Sequence, residues 1–473
     1  MKEDDFNFES WESDDFIKLI NRFEDMIKTD NFIYFDSDEL EDIIDYYLNT
    51  EQIKQCSIAI KIALTQYPDN EIFLIQKALF LQLTNDTGNA LKILESLFKQ
   101  NPENIDVLSA MGDILHQQGK YNPAIKKYEK ALSLTKDNEE KETILEQLLA
   151  TLDEAGLHNK MILYFKSLLE INSNNNFAIS GIANCYILLE KEEEGIVYFN
   201  NLTDTIPYNT LVWFCLGNLY LCLNLYEKAI ETYDFALAIE PTFISALIKK
   251  GVSYSSLNND DEAIAVFEEI IKIDEQESMA YNHLGYCYFA KKNYNDAIKY
   301  FSKAIFYNKE MTDAHLGLVY CYIEQDKYKI ALTHINKIIE LNADTDDIWF
   351  FKAFIEEELN ENEEADKSYR KSLELNPYNE MRWISYSEFH IDNFDELNSA
   401  ILILLEAIEY LSKSYIIMYR LAAYYFEKGS YNEGSKWLHN ALSINKENLK
   451  TMFEYNSSLE DDPKINSIIN QYL

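Results

Sequence analysis

Residues 210–243 read TLVWFCLGNLYLCLNLYEKAIETYDFALAIEPTF, and this stretch decides the fold. Apolar residues recur at helical spacing in two successive runs, which predicts helix A over roughly the first fourteen positions and helix B over roughly positions 18–31. Pro241, at position 32, ends the second run because proline lacks an N–H and disfavours helix in the residue before it. Two such helices cannot bury their apolar faces alone, so the unit requires neighbours stacked on both sides.

The spaced residues of this unit resemble the tetratricopeptide repeat (TPR), a helix–turn–helix unit of 34 residues. The resemblance rests on the pattern W-x2-L-G-x2-Y and on the small, aromatic and proline positions after it: Trp213, Leu216, Gly217, Tyr220, Ala229, Tyr233, Ala236 and Pro241. It implies an all-α fold, a right-handed α-solenoid or superhelix of TPR helix–turn–helix repeats, in which small residues at positions 8, 20 and 27 let helices approach closely.

The same register holds over residues 37–448 as twelve tandem units, with residues 139–141 inserted before the fourth unit and one residue inserted in the eleventh. The fourth unit is degenerate, since Leu149 replaces the glycine and Met161 the small residue of helix B. We expect three regions: an acidic, mobile tail and an N-terminal capping helix in 1–36, one continuous solenoid in 37–448, and C-terminal capping helices in 449–473. Terminal repeats of such arrays need caps.

Composition limits the choice of partner. The net charge is −39, from 81 acidic and 42 basic side chains, so nucleic acids and anionic membranes are poor partners. At 47% hydrophobic residues the chain is too apolar to be disordered. No secretory signal and no apolar run of membrane-spanning length is visible, so we expect a cytoplasmic protein without membrane insertion.

No arrangement of residues indicates catalysis or a metal centre. The cysteines fall mostly at buried repeat positions, the seven histidines fall at seven different positions, and no phosphate-binding loop or nucleophile elbow occurs. We therefore expect no enzyme, no cofactor and no metal site. An inward-facing acid pair such as Asp347 with Glu388 would be the single hint of an enzyme in the groove, and composition explains it.

The resemblance places a partner-binding groove on the other face of helix A, at positions 2, 5, 9 and 12. From the sixth unit onward these positions are mainly apolar, where solvated polar residues would be the default. The candidate groove residues are Leu211, Phe214, Asn218, Leu221, Ile248, Asn282, Tyr286, Phe289, Leu316, Tyr320, Ile323, Phe350, Phe354, Ile384 and Tyr419. In the N-terminal half the face is more acidic, except in the second unit: Asp38, Glu41, Asp45, Asp113, Glu146 and Asp153 against Ile72, Ile75 and Leu79.

These patterns favour an interaction scaffold that holds an apolar peptide or helix of another protein in its concave groove, since a long apolar patch usually marks an interface. Three alternatives stay open at this stage. Neighbouring A helices or the chain's own termini could cover the stripe. The chain could self-assemble into a structural array or homo-oligomer, or it could be an enzyme with a site in the groove. The sequence does not identify the partner.

Overall fold

The structure, a computed structural model, describes residues 13–29 and 33–472. Every regular element in these ranges is a helix. Thirteen-residue A helices and fourteen-residue B helices dominate, because apolar residues recur at helical spacing and asparagine, aspartate or serine caps the start of many A helices. The Asn209 side chain, for example, accepts hydrogen bonds from the backbone N–H groups of Leu211 and Val212. The predicted all-α repeat fold is confirmed.

The chain divides into two compact units at Pro241. In unit 1, α1 precedes six helix pairs, of which the even-numbered members are A helices: α1 Asp14–Thr29, α2 Ser37–Asn49, α3 Ile53–Gln66, α4 Glu71–Leu83, α5 Thr87–Gln100, α6 Ile105–Gln117, α7 Tyr121–Leu134, α8 Asn138–Glu154, α9 His158–Ile171, α10 Asn176–Leu188, α11 Glu192–Thr205, α12 Thr210–Cys222 and α13 Tyr226–Ile239.

Unit 2 contains six further pairs and the C-terminal helices: α14 Ile244–Ser256, α15 Asp260–Ile273, α16 Ser278–Ala290, α17 Tyr294–Tyr307, α18 Thr312–Ile323, α19 Tyr328–Glu340, α20 Asp346–Glu358, α21 Asn362–Leu375, α22 Glu380–Phe394, α23 Leu397–Tyr410, α24 Tyr415–Glu427, α25 Tyr431–Ile444, α26 Lys450–Tyr455 and α27 Pro463–Ile469. The 3₁₀ turn Ser457–Asp461 separates α26 from α27. Both units thus follow the predicted helix register.

An aromatic ring from helix B lies against a glycine of helix A within four repeats: Gly112 with Tyr128, Gly217 with Tyr233, Gly251 with Phe267 and Gly285 with Phe301. A Cβ atom added at Gly217 would overlap the ring of Tyr233, and one at Gly285 would overlap that of Phe301. Both rings are fully buried. The small residue is therefore required by the close approach of the ring, and this contact holds the two helices of one repeat together.

The turn between helix A and helix B uses the same backbone conformation in all twelve repeats. Its residue has a positive φ, and only three of the twelve are glycine. The others are mostly asparagine or acidic residues, for example Asn224 with φ of 57° and Glu190 with φ of 54°. Asparagine and glycine tolerate this left-handed region best. The turns therefore share a left-handed backbone conformation rather than one residue type.

Two repeats depart from the common geometry where the sequence carries insertions. The residues inserted at 139–141 lengthen α8 to 17 residues at its N-terminal end. The extra residue of the eleventh repeat lengthens α22, whose left-handed turn residue is Asp395. Both insertions are thus absorbed by A helices.

The ends of the array are covered by short helices. In α1, Ile20, Phe23 and Met26 are buried in a cluster with residues of the first repeat. At the other end, Met452 and Ile465 are buried with residues of α24 and α25. These are the positions that capping helices would occupy. The predicted tail at 1–12 lies outside the described residues, and the division into one solenoid with two caps stays a prediction.

Candidate functional site

The predicted groove residues lie on A helices in both units. Leu211, Phe214, Asn218 and Leu221 lie on α12 of unit 1 and are half-buried. Asn218 accepts a hydrogen bond of 2.8 Å from the Tyr233 hydroxyl, so its side chain is engaged within its own repeat. The remaining candidates lie on the A helices of unit 2, where Ile248 on α14 is also half-buried.

Aromatic side chains connect three successive A helices of unit 2. The rings of Phe289 on α16 and Tyr320 on α18 lie 6.1 Å apart, and those of Tyr320 and Phe351 on α20 lie 5.5 Å apart. The Tyr286 hydroxyl donates a hydrogen bond of 3.1 Å to the backbone carbonyl of Asp313 in the next repeat. The half-buried surface is therefore continuous from the eighth to the tenth repeat.

We call this surface the apolar stripe and define it by seven half-buried side chains of unit 2: Tyr286, Phe289, Leu316, Tyr320, Ile323, Phe350 and Phe354. Burial, with Asp313 nearby, raises the pKa of Tyr286 to about 12. Burial also raises the pKa of Tyr320, and Asp347 adds to the effect. Both phenols consequently stay protonated at neutral pH and present hydrogen-bond donors within an apolar surface.

Phe350 and Phe354 differ from the core phenylalanines of the same unit. Phe350 packs edge-on against Tyr369, with ring centres 5.8 Å apart, and the guanidinium of Arg382 lies 5.7 Å from its ring centre. Phe354 lies edge-on to Tyr328 at 6.3 Å. Both keep solvent-accessible area, whereas Phe301 has none. The two rings thus pack on the array, Phe350 within its own repeat and Phe354 against the preceding one, and keep area that a bound molecule can contact.

Three predicted groove residues are buried and do not belong to an open surface. Asn282, Ile384 and Tyr419 are only 2%, 2% and 1% exposed. All three occupy position 5 of helix A, a position that is half-buried in four other repeats: Phe214, Ile248, Leu316 and Phe350. Ile384 belongs to a core cluster with Leu421, and the Tyr419 hydroxyl donates to the carbonyl of Asn445. For these three positions, coverage by the chain's own residues is the correct interpretation.

The acid pair considered for an enzyme is engaged in ion pairs. Asp347 pairs with Arg382, which also pairs with Asp346, and Glu388 pairs with Arg420. Each pair joins A helices of successive repeats. The guanidinium of Arg420 also lies 4.4 Å from the ring centre of Tyr455. These carboxylates thus have a structural role in linking repeats.

A second surface, in unit 1, combines acidic and apolar side chains from α2, α4 and α6. Four carboxylates and a glutamine line it together with three apolar side chains: Glu41, Asp45, Asp106, Asp113, Gln76, Ile72, Ile75 and Leu79. We call it the acidic groove. Three of the six predicted acidic positions, Glu41, Asp45 and Asp113, therefore share one surface with the apolar positions of the second repeat. Gln76, which lies between the carboxylates, was not among the predicted residues.

The carboxylates of the acidic groove resist ionisation. Loss of hydration raises the pKa of Glu41, and the neighbouring Asp45, Asp42, Asp38 and Asp106 add to the effect. The same loss of hydration raises the pKa of Asp45, Asp106 and Asp113, although Asp113 accepts a hydrogen bond of 2.6 Å from Tyr128. Ionised carboxylates in this groove are consequently less stable than they are in water.

A further cleft, in the fourth and fifth repeats, is lined by Glu146 and Asp153, two of the predicted acidic positions, and by apolar residues that the sequence analysis missed. The apolar residues include Met161 and Phe165 of α9 together with Leu149 of α8 and Phe177 and Leu188 of α10. The B helix α9 is thus reached from between two A helices. Phe177 and Leu188 are 52% and 62% exposed. The signal in the sequence is the degenerate fourth unit, whose bulky Leu149 and Met161 replace small residues.

The side chains that could bind a metal ion or act as a reactive thiol were compared across the described part of the chain. No group of histidine, cysteine and acidic side chains there is arranged to hold a metal ion. The six cysteines are free, and five are buried. Burial raises the pKa of the Cys215 thiol to about 12, which disfavours the reactive thiolate. Among the described helices, none is both long and apolar enough to cross a bilayer.

Three family profiles match parts of the sequence. They are described as anaphase-promoting complex, cyclosome, subunit 3, over residues 256–338; TPR repeat, over 112–140; and tetratricopeptide repeat, over 346–379. No curated protein matches the sequence.

Solved structures with similar folds include three crystal structures of low sequence identity. The MamA protein is 23% identical, with 35% of this chain and 90% of that chain covered and a TM-score of 0.32. A tetratricopeptide repeat protein from Parabacteroides merdae ATCC 43184 is 18% identical, with 60% and 96% covered and a TM-score of 0.37. PilW, a type IV pilus biogenesis factor, is 18% identical, with 43% and 95% covered and a TM-score of 0.40.

The profile matches fall in both units, and the helix pairs of the structure continue the same register between and beyond them. Together with the recurring glycine–aromatic contact and the left-handed turn, they establish that the chain is a tetratricopeptide-repeat protein.

Proposed function

We propose that the protein is an interaction scaffold whose apolar stripe holds an apolar segment of another protein. The observation that carries the proposal is the continuous, half-buried row of aromatic side chains on α16, α18 and α20. An exposed apolar surface of this kind usually marks an interface. Tyrosine and phenylalanine supply large contact area with few rotatable bonds, and such residues dominate binding energy at interfaces. The partner would be a peptide or helix with apolar side chains, as in helix-in-groove recognition.

Affinity capture from an extract tests this function with matched variants. Tyr320→Ala and Phe354→Ala should each weaken capture of a discrete partner by more than about 1 kcal/mol, as loss of an aromatic anchor does. Phe306→Ala is the control, because Phe306 lies on the B helix α17 and is 74% exposed. A partner lost equally from all three variants, or from none, would contradict the proposal.

Thermal unfolding of the same variants separates binding from folding. Phe354 is half-buried, so Phe354→Ala should cost well under the roughly 3–5 kcal/mol expected for a core phenylalanine. Phe301→Ala provides the comparison, since Phe301 is fully buried.

Light scattering of the purified protein at increasing concentration distinguishes the self-assembling alternative, for which particle mass should grow with concentration.

A further inference from the structure

In the described part of unit 1, no basic side chain forms an ion pair that would offset the negative charge of the carboxylates in the acidic groove. Among the described residues, no lysine or arginine pairs with Glu41, Asp45, Asp106 or Asp113. Glu41 of α2 and Asp106 of α6 both line the groove, and Asp106 is among the carboxylates that raise the pKa of Glu41. A positive charge placed between them would replace this repulsion by attraction, and in partly dehydrated surroundings such attraction is stronger than in water.

Gln76 adds a directed acceptor to this surface. Its side chain is 4% exposed and lines the groove. Nε2 donates to the Asp45 carboxylate at 2.7 Å and to the Glu41 carbonyl at 3.2 Å, which fixes the orientation of the amide. Oε1 has no hydrogen-bond partner among the described residues. A buried acceptor without a donor is unfavourable, so this atom suits an incoming N–H group.

The apolar side chains of the groove indicate that a bare cation is not its best ligand. Ile72 is 43% exposed, and Leu79 is half-buried beside Asp45. An inorganic ion would leave this apolar area in water, whereas a chain segment with both kinds of side chain would cover it. Lysine and arginine also carry apolar stems that cover such area while the charged group reaches a carboxylate.

We propose that the acidic groove binds a cationic, amphipathic segment of another protein, with lysine or arginine against the four carboxylates and an apolar side chain against Ile72 and Leu79. The N–H group of the cationic side chain or of the segment's backbone donates to Gln76 Oε1. The surface lies in the first three repeats, whereas the apolar stripe lies in the eighth to tenth. This binding therefore does not depend on the function proposed for the stripe.

Fluorescence anisotropy on the full chain tests the proposal with a dye-labelled synthetic peptide as the probe. The peptide carries lysine and leucine on one face at helical spacing, and measurements are made at physiological salt. Glu41→Gln combined with Asp106→Asn should weaken binding by about tenfold, while the melting temperature stays level or rises because a repulsion is removed. Ile72→Ser should also weaken binding, and Phe306→Ala, at an exposed position on a B helix outside both surfaces, should leave it unchanged.

The matched control removes the same charge elsewhere in unit 1. Glu193 and Glu231 are exposed and lie on the B helices α11 and α13, so Glu193→Gln combined with Glu231→Gln should change affinity less than about twofold at this salt. Equal losses in the control and the groove variant would show general charge attraction and overturn the proposal. Equal binding of a peptide with serine in place of leucine would also overturn it, because the groove would then recognise charge alone.

Discussion

At the scale of single residues, the contact between a glycine and an aromatic ring is the feature most sensitive to change. Gly217→Ala would place a methyl group inside the volume of the Tyr233 ring. We expect a loss of about 1–3 kcal/mol in the free energy of unfolding, as for other overpacked cores. Gly88→Ala is the control, because Gly88 is helical and a Cβ there meets nothing within 4 Å. Chemical denaturation should show Gly88→Ala to be neutral or stabilising by up to about 1 kcal/mol.

The carboxylates of the acidic groove give a prediction about pH. The pKa values of Glu41 and Asp106 are raised in the folded protein. Their favourable contribution to stability is therefore fully present below the unfolded pKa of about 4 and is lost as pH rises through the folded values. Replacing Glu41 by glutamine and Asp106 by asparagine should raise the melting temperature at neutral pH. The corresponding gain in the free energy of unfolding is on the order of 0.5 kcal/mol.

Well below a pH of about 4 the same double variant and the parent protein should melt together, since the parent carboxyls are then protonated in both the folded and the unfolded state. Scanning calorimetry over this range checks the sign directly. A double variant that is less stable than the parent at neutral pH would mean that these carboxylates stabilise the fold, contrary to the repulsion inferred here.

At the scale of elements, the turn between helices A and B repeats one backbone conformation with different residues. Glu190 adopts φ of 54° and Gly119 adopts φ of 69°, and a Cβ at Gly119 would meet nothing within 4 Å. Gly119→Ala should therefore cost about 1–2 kcal/mol through the left-handed backbone alone. Glu190→Gly should stabilise by a smaller amount, up to about 1 kcal/mol, since glycine also loses more entropy on folding. If Gly119→Ala stabilised the protein and Glu190→Gly destabilised it, the left-handed turn conformation would not be what limits stability at these two sites.

The helix register could be read from the sequence because the repeat spacing pairs Gly217 of helix A with Tyr233 of helix B, and the two are in contact. The solvent exposure of individual groove positions could not be read from the sequence. Position 5 holds Phe350, which is half-buried, and Tyr419, which is buried because the chain after α25 offers its hydroxyl an acceptor at Asn445. That difference depends on the neighbouring layer and not on the repeat pattern. The acidic groove was visible as a trend in charge, but the orientation of Gln76 required coordinates.

For the whole molecule, with its net charge of −39, salt should affect binding differently at the acidic groove and at the apolar stripe. Binding in the acidic groove should weaken as salt rises, because exposed charges are screened over distances of about 10 Å at moderate salt. Binding at the apolar stripe should respond little, because the contact is mainly apolar. The two proposed surfaces are therefore expected to differ in how strongly salt weakens binding.

The location of a bound partner is the central claim, and site-specific photo-crosslinking measures it directly. Benzoylphenylalanine is placed at Phe354 in one variant and at the exposed Phe306 in another, and the adducts formed in cells are identified by mass spectrometry. We expect an adduct with another protein from position 354 and none from position 306. Adducts from position 354 that join only residues of this same chain, with the partner crosslinked from position 306 instead, would contradict it.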